Sequence, residues 1–526
     1  MRKVTFAIIA ALATLLALPS PAQDMSLRRG NCLPDVTADD VAAGRSDAMR
    51  RLPAINTSWD AGRIYRQLVI LVSFSDTDFR EEDPKTFYDK MLNEEGYNLR
   101  KGPGCMADYF RAQSGGLFNV KFDVYGPYKI DSKAQPYESP TSSTHNYGRD
   151  QLRAATNLFL EENPDFDFSQ YDWEGNGKVN QVVYVCAGYT GNQNNEKCYG
   201  YIWPNTSSFS YITTPDGKRI ADYSCSCELW AGSTSDSSCG FGTICHEYTH
   251  SLGLPDIYPT ISNAGYSVVD EWDLMDGGNF TNFGWCPPNY TPLEKMLLGW
   301  LTPTELNEPK TISNLKTVAD GGEVYMVKNT DNEYYLLENR KWGGWDLGAP
   351  GKGLVIYHVN YIPSYWSSNN VNNKKDVRNF CLFAADNRDY DDWDSFLKNS
   401  GATSQYTNSG RMNNLHLSGA PYPLVDDEGI LNDSLTDTSV PAAVVYNENA
   451  DGVLFMSKSI TNIVQHDDGT VSFKFMSDTI PSGIVDNRLS TVNRQASILI
   501  DLQGRRIYGK PARGLVIKDG RKLLVR

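Results

Sequence analysis

The first half of the chain alternates between apolar runs and stretches with helical spacing. Residues 67–74, QLVILVSF, form a continuous apolar run, which predicts a strand buried on both faces of a sheet. A second such run covers residues 181–186, and residues 117–124 alternate between apolar and polar in the manner of a half-buried strand. Helical patterns separate these strands, at residues 86–92, 106–112 and 150–160. Strands that alternate with helices predict an α/β domain.

The pattern changes after about residue 305. Short apolar runs are then separated by Gly, Asn and Asp turns, which predicts strands at residues 334–339, 353–359 and 471–475. We therefore expect an α/β domain over residues 67–305 and a mainly β region over residues 306–478 that continues the same module. A small β tail is expected over residues 487–526.

The N-terminus has the pattern of an export signal. Two basic residues precede an apolar run at 6–18, and small residues follow it, so we predict a signal peptide over residues 1–22 that is removed after Ala22. The run is shorter than the roughly 20 apolar residues of a membrane-spanning helix, and no later run approaches that length. We expect a secreted protein without a transmembrane segment. The polar, irregular residues 23–66 are expected to be a pro-segment or an N-terminal extension.

Charge and cysteine content narrow the classes of function. The 526 residues include 49 basic and 64 acidic side chains, and the net charge of −15 repels phosphate, which argues against a nucleic-acid partner. All 10 cysteines follow the signal, and in an exported chain this predicts disulfides whose connectivity the sequence leaves open. The close spacing of Cys225 and Cys227 does not fit a zinc ribbon.

One short segment has the spacing of a catalytic metal site. His246 and His250 are four residues apart, so on a helix both imidazoles lie on one face and can bind a single Zn²⁺. Glu247 then lies beside the metal-bound water, where it can act as general base. This arrangement is typical of zinc peptidases.

Two candidates remain for the third zinc ligand. Gly253 can adopt the positive φ that ends a helix and turns the chain back, which would present the Asp256 carboxylate to the metal. The alternative takes a carboxylate about twenty residues downstream, Glu271 or Asp270. Asp256 is favoured because the glycine turn has no purpose in the alternative.

The segment carries a resemblance to a known family. Residues 246–258, 272–275 and 294–301 resemble the immune-inhibitor-A-like zinc metallopeptidases, secreted bacterial enzymes of the metzincin type, with supporting similarity over about 67–360. The resemblance implies a metzincin-like α/β catalytic domain with a zinc-binding active-site helix. It also implies that Met275 lies in a Met-turn that supports the site without binding the metal. Asn205 departs from the family pattern, which often has His there.

These observations predict a secreted zinc endopeptidase that hydrolyses peptide bonds in proteins. The zinc-bound water attacks the scissile carbonyl, and Glu247 transfers its proton to the leaving amine. The alternative is an exported adhesin or glycan-binding protein with a vestigial peptidase domain. The intact Glu247 argues against that alternative, because a metal-binding relic has no need for a base.

Three further features are interpreted in two ways each. The loop with Asp172, Glu174 and Asn176 resembles a calcium loop but has Val183 in place of the late bidentate Glu, and an Asx and glycine turn is the favoured interpretation. Cys32 is a candidate latency switch, a thiolate on the zinc, or else a member of a structural disulfide. The tail at 487–526 resembles bacterial C-terminal sorting signals, or is a closing hairpin.

Overall fold

The computed structural model describes most of the chain after residue 51. The described residues are 52–232, 236–261, 264, 267–400, 416–425, 429, 431–476, 499–505, 507, 514–518 and 521–525. The predicted signal peptide and Cys32 lie outside them. No helix in the described ranges combines the length and the apolar character needed to cross a membrane.

A mostly parallel sheet forms the framework of the first half. Its strands are β1 (Ile64–Phe74), β2 (Asn119–Ile130), β3 (Val182–Tyr189), β4 (Asn205–Thr213), β5 (Arg219–Trp230) and the short β6 (Ser237–Ser238). The strand order is β2-β1-β3-β5-β4, with β6 on the end of β5. Neighbours from β2 to β5 are parallel, whereas β4 runs antiparallel at the edge. The predicted strands are confirmed, but the β4–β5 hairpin was not predicted.

Helices cover both faces of this sheet. They are α1 (Pro84–Asn93), α2 (Met106–Gln113), α3 (Arg149–Glu162), α4 (Gly242–Ser251) and α5 (Pro292–Leu297). Leu68 and Ile70 of β1 face the core under α3, while Val69 and Leu71 face the core that includes Tyr248 of α4. The continuous apolar run of β1 is therefore buried on both faces, as its sequence predicts.

The later part of the chain is mainly β. Its first strands are β7 (Thr304–Glu305), β8 (Lys310–Leu315), β9 (Tyr325–Lys328), β10 (Glu333–Arg340), β11 (Gly353–Asn360) and β12 (Phe380–Leu382). Two short helices, α6 (Pro363–Ser367) and α7 (Tyr390–Ser400), flank β12. Four strands follow, β13 (Leu424–Val425), β14 (Leu431–Asn432), β15 (Ile460–Gln465) and β16 (Val471–Phe475). The tail contributes β17 (Leu499–Ile500), β18 (Gly514–Lys518) and β19 (Arg521–Val525), which form a sheet of their own.

One five-stranded sheet joins the two parts of the chain. Its order is β12-β11-β10-β9-β7. Val355 and Tyr357 of β11 belong to the same core as α4, whereas Leu354 and Ile356 face a second core shared with β15 and β16. The mainly β region is thus packed directly against the α/β part, next to the predicted active-site helix.

The cysteines are not paired in the described part of the chain. All nine described cysteines are buried, and no disulfide joins any two of them. The expected disulfides are therefore not found among these residues.

A short segment ahead of β1 crosses the end of α4. The Leu52 amide donates to the Ser367 carbonyl oxygen at 3.1 Å, and the Trp59 indole N–H donates to the Leu298 carbonyl oxygen at 2.6 Å. Gly253, whose φ is +102°, lies beneath this segment, and a Cβ built on it would be 2.9 Å from the Pro53 carbonyl oxygen. Only glycine suits this position, because it needs both a positive φ and close approach of another backbone.

We expect Gly253→Ala to lower the thermal unfolding midpoint more than Gly217→Ala does. Both glycines have positive φ, but no atom lies within 4 Å of a Cβ at Gly217. Gly217→Ala should therefore cost only the left-handed strain, about 1–2 kcal/mol. Gly253→Ala adds a clash on the order of 1–3 kcal/mol. Equal midpoints in a calorimetric comparison would contradict the contact between Gly253 and the segment ahead of β1.

Candidate metal centre

Two histidines of α4 and one aspartate form a compact cluster. In the described part of the chain, His246, His250 and Asp256 are the one group of three such residues whose ligand atoms all lie within 4.8 Å of one another. Asp256 Oδ1 is 3.2 Å from His246 Nε2 and 3.3 Å from His250 Nε2. Two ligand atoms on a tetrahedral Zn²⁺, each bonded at about 2.0–2.1 Å, are about 3.3 Å apart. The spacing and the N,N,O donor set therefore fit zinc.

Both imidazoles are oriented by main-chain carbonyl groups. His246 Nδ1 lies 2.9 Å from the Leu274 oxygen, and His250 Nδ1 lies 2.8 Å from the Leu254 oxygen. A carbonyl oxygen can only accept, so each Nδ1 carries the proton and donates. Each Nε2 then presents its lone pair toward Asp256, which is the tautomer a metal ligand needs.

The turn after α4 places two of these groups. The Gly253 amide donates to the His250 carbonyl oxygen, which ends the helix. The reversed chain then brings the Leu254 carbonyl under the His250 ring and the Asp256 side chain to the two Nε2 atoms. The glycine turn therefore has the purpose that its sequence position suggests.

Asp256 is held from the opposite side by the mainly β region. The Asn369 side-chain amide donates to Asp256 Oδ2 at 2.7 Å, and its Oδ1 accepts from the Asp256 amide, also at 2.7 Å. Burial alone would raise the pKa of Asp256, but in the absence of metal the charge and hydrogen bonds of protonated His250 and His246 outweigh burial and lower this pKa. The carboxylate thus stays ionised and oriented.

Glu247 lies next to the cluster, and its side chain is buried. Thr206 of the edge strand β4 lies with its hydroxyl 3.0 Å from Glu247 Oε2 and 2.6 Å from the Glu247 main-chain oxygen. Burial raises the pKa of Glu247 to about 8, with a further contribution from the charge of Asp256. A carboxyl with this pKa can both bind and release a proton near neutral pH.

The loop of Met275, predicted to be a Met-turn, contacts His246 through the residue before Met275. Met275 is fully buried in the core, its amide donates to Asp273 Oδ1 at 2.6 Å, and its carbonyl oxygen accepts from the Ile257 amide. The preceding residue, Leu274, supplies the carbonyl that orients His246. The alternative third ligands, Glu271 and Asp270, lie near this loop in sequence but outside the metal-ligand cluster.

A buried pair of carboxyls underlies the same loop. Burial raises the pKa of Asp273 well above its usual range, and Glu294 beside it raises it further. Burial also raises the pKa of Glu294 to about 7. Glu294 additionally caps α5, since its Oε2 accepts from the Thr291 amide at 2.7 Å. Both carboxyl pKa values are therefore raised at the place where the Met275 loop meets α5.

The candidate calcium loop is closed by its own hydrogen bonds. Asp172 accepts from the amides of Asn176 and Gly177, and the Lys218 ammonium lies 2.8 Å from Asp172 Oδ2. The Asn176 side chain donates to Glu174. This arrangement is that of an Asx turn with a lysine counter-charge, and calcium binding stays a prediction.

Sequence reasoning missed the residues that support the cluster from a distance. Thr206 and Asn369 are 41 and 113 residues from the groups that they contact. No local periodicity connects such positions. Glu294, in contrast, lies in one of the motifs that carried the family resemblance.

The site combines two buried histidines on a helix, a buried aspartate from the turn after it and an adjacent glutamate, all beside a mostly parallel sheet. This combination is that of a metallopeptidase. Residues 63–292 match the model of the immune inhibitor A peptidase M6 catalytic domain. This part of the chain is therefore similar to the catalytic domain of the peptidase M6 family, and the resemblance seen in the sequence is confirmed.

Curated proteins show similarity at modest identity. The chain is 27% identical over 268 residues to Immune inhibitor A of Bacillus thuringiensis subsp. alesti, which covers 43% of this chain and 38% of that protein. It is 22% identical over 334 residues to Pre-pro-metalloprotease PrtV of Vibrio cholerae serotype O1, which covers 56% of this chain and 35% of that protein. The matched part thus spans well under half the length of either relative.

We expect Asp256→Asn to weaken zinc binding far more than Glu271→Gln. Asn keeps the shape but loses the charge next to both Nε2 atoms, so the loss should exceed the roughly 10- to 100-fold effect of a supporting residue. Competition with a chromogenic zinc chelator measures both affinities, and circular dichroism checks the fold. A larger loss in the Glu271 variant would move the third ligand downstream.

Asn369→Ala is expected to lower zinc affinity by roughly 10- to 100-fold, because the Asp256 carboxylate loses its orienting donor. Asn370→Ala is the matched control, since the Asn370 side-chain amide of the same loop bonds to the Ser368 hydroxyl instead. Similar affinities of the two variants in the chelator competition would show that the amide of Asn369 does not support the site.

Proposed function

We propose that this protein is an exported zinc endopeptidase that hydrolyses peptide bonds in proteins. One observation carries the proposal: two imidazole Nε2 atoms and a carboxylate oxygen converge at tetrahedral spacing beside the buried Glu247. The peptidase M6 match over residues 63–292 supports the metallopeptidase class. One of the relatives, Pre-pro-metalloprotease PrtV, is also named as a metalloprotease.

His246, His250 and Asp256 would hold the metal. Two neutral imidazoles and one carboxylate leave a net charge of about +1 on bound Zn²⁺, and three protein ligands leave one position open. Bound zinc would supply Lewis-acid polarisation of the scissile carbonyl. The carbonyls of Leu274 and Leu254 bind the Nδ1 side of each ring, which leaves both Nε2 atoms to bind the metal.

Glu247 is proposed as the proton carrier of the reaction. Its carboxylate takes a proton from the attacking water and then delivers that proton to the leaving amine. The Thr206 hydroxyl fixes one carboxylate oxygen, which leaves the other for the proton transfer. Burial raises the pKa of Glu247, which favours the uptake of a proton from the attacking water.

The edge strand β4 is proposed to align the substrate. Among the described strands, β4 pairs only with β5, so its other edge can bind an extended peptide. A cavity of about 590 Å³ lies there, lined in part by Thr206, Ser207, Ser208 and Ser251. Leu52, Pro53 and Trp59 from the segment ahead of β1 line the same cavity. This position supports the view that the N-terminal extension must be displaced before the enzyme acts.

Three further parts of the proposal rest on the sequence. Export is proposed from the pattern of residues 1–22, and sorting from the β tail at 487–526. The metzincin type is proposed from the glycine turn and the Met275 loop that contacts His246. Latency through Cys32 stays a prediction outside the described residues.

Glu247→Gln should lower casein hydrolysis by roughly two to four orders of magnitude, the usual share of general acid–base catalysis. Zinc content should remain that of the parent, because Glu247 is not a ligand in the proposed site. The preparations are compared after removal of the N-terminal extension, with Glu271→Gln as a matched acid-to-amide control and a chelator as a second control.

Equal, chelator-insensitive hydrolysis by parent and Glu247→Gln would assign the activity to a contaminant. If the zinc-loaded, processed parent cleaves no member of a broad peptide library, the adhesin or glycan-binding alternative gains the advantage.

A further inference from the structure

A second group of reactive side chains lies in the mainly β region, away from the metal centre. His358 of β11 and Cys381 of β12 are direct cross-strand neighbours, so their side chains leave the same face of the sheet. His358 Nε2 lies 2.9 Å from Glu333 Oε1 of the adjacent strand β10. A thiol, an imidazole and a carboxylate thus follow one another across three adjacent strands.

The carboxylate end of this group is fixed. Glu333 accepts hydrogen bonds from the amides of Tyr446 and Asn447 and from the side-chain amides of Asn447 and Asn329, at 2.5–3.0 Å. Burial would raise the pKa of Glu333, but the hydrogen bond and charge of His358 outweigh burial and lower it to about 2. Glu333 therefore accepts the His358 Nε2 proton.

Three aromatic side chains fix the orientation of the His358 imidazole. Tyr446 and Phe383 stack on the His358 ring at centroid distances of 4.7 and 5.4 Å, and Tyr335 packs against its edge at 5.3 Å. With Nε2 on Glu333, the buried Nδ1 has no hydrogen-bond partner in the described part of the chain, and Cys381 is its direct neighbour on the next strand. Burial disfavours the charge on His358, but Cys381 and Glu333 raise its pKa to about 9.

Cys381 also differs from the other thiols in its access to solvent. It is 8% exposed, whereas the remaining described cysteines are at most 3% exposed. Cys381 lines a cavity of about 80 Å³ together with Arg378 and Lys375, and the charge of Arg378 interacts with the thiol. This volume is several times what one water molecule needs, so a small oxidant has room to enter the cavity.

We propose that Cys381, His358 and Glu333 form a reactive thiol site that is oxidised by hydrogen peroxide. His358 takes the thiol proton, and Glu333 holds the resulting imidazolium, which is the arrangement of an activated nucleophile. The sulfur attacks one peroxide oxygen, an S–O bond forms, and the O–O bond breaks. The leaving hydroxide takes the proton from His358 and departs as water, so sulfur loses two electrons and peroxide gains two. The product is a sulfenic acid on Cys381.

The first test compares thiols within the unmodified protein. The purified full chain is treated with substoichiometric hydrogen peroxide, then denatured in dimedone, which traps sulfenic acid, and mapped by peptide mass spectrometry. Cys381 should be labelled at least about tenfold faster than Cys286, a fully buried thiol that donates to main-chain carbonyls. Labelling of Cys381 no faster than that of Cys286 would overturn the proposal.

The second test addresses the base. His358→Gln keeps a donor for Glu333 but removes the proton acceptor, so labelling of Cys381 should fall about tenfold or more. His466→Gln is the control, because His466 bonds to the Ser472 hydroxyl elsewhere in the β region. An unchanged rate in His358→Gln would exclude the imidazole from the reaction. If that variant does not fold, the ranking of thiols in the parent still decides. Neither readout depends on zinc or on peptidase activity.

Discussion

A carboxylate without access to water is stable only where protein groups replace its hydration, and Asp256 is such a carboxylate. Two imidazole nitrogens and the Asn369 amide surround its side chain. Each of these groups is itself held by backbone from another part of the chain. The turn at Gly253, the loop before Met275 and the loop after α6 are therefore all tied to one buried charge.

The same rule applies to the layer beneath. Arg340 is buried with Asp346 at 2.5 Å and Glu338 at 3.0 Å, so its charge is balanced by two carboxylates. Nearby, burial raises the pKa values of Asp273 and Glu294, which limits the negative charge in this layer. Breaking such a buried pair leaves an uncompensated charge or donor, at a cost of several kcal/mol in typical proteins. The Met275 loop thus packs on a layer of paired, buried polar groups. The same loop contacts His246 through the Leu274 carbonyl.

Local features of the site could be predicted from the sequence because they depend on short spacing. The interval between His246 and His250 fixes a shared helix face, and Gly253 followed by Asp256 fixes a turn and a ligand. Distant supports could not be predicted, since Thr206 and Asn369 reach the site only through strand pairing and packing. The β4–β5 hairpin was missed for a similar reason, because its polar, serine-rich residues show no apolar run.

The bond between Asn369 and Asp256 also has a consequence for the order of assembly. Its two partners are 113 residues apart, and the later one lies beyond the matched family domain. At typical synthesis rates of about 5–20 residues per second, that interval takes about 6–23 s. The helix with both histidines is therefore made well before the amide that completes its carboxylate partner. During synthesis the chain therefore passes through a stage in which Asp256 lacks its Asn369 partner. A fragment that ended at residue 292 would lack that partner permanently.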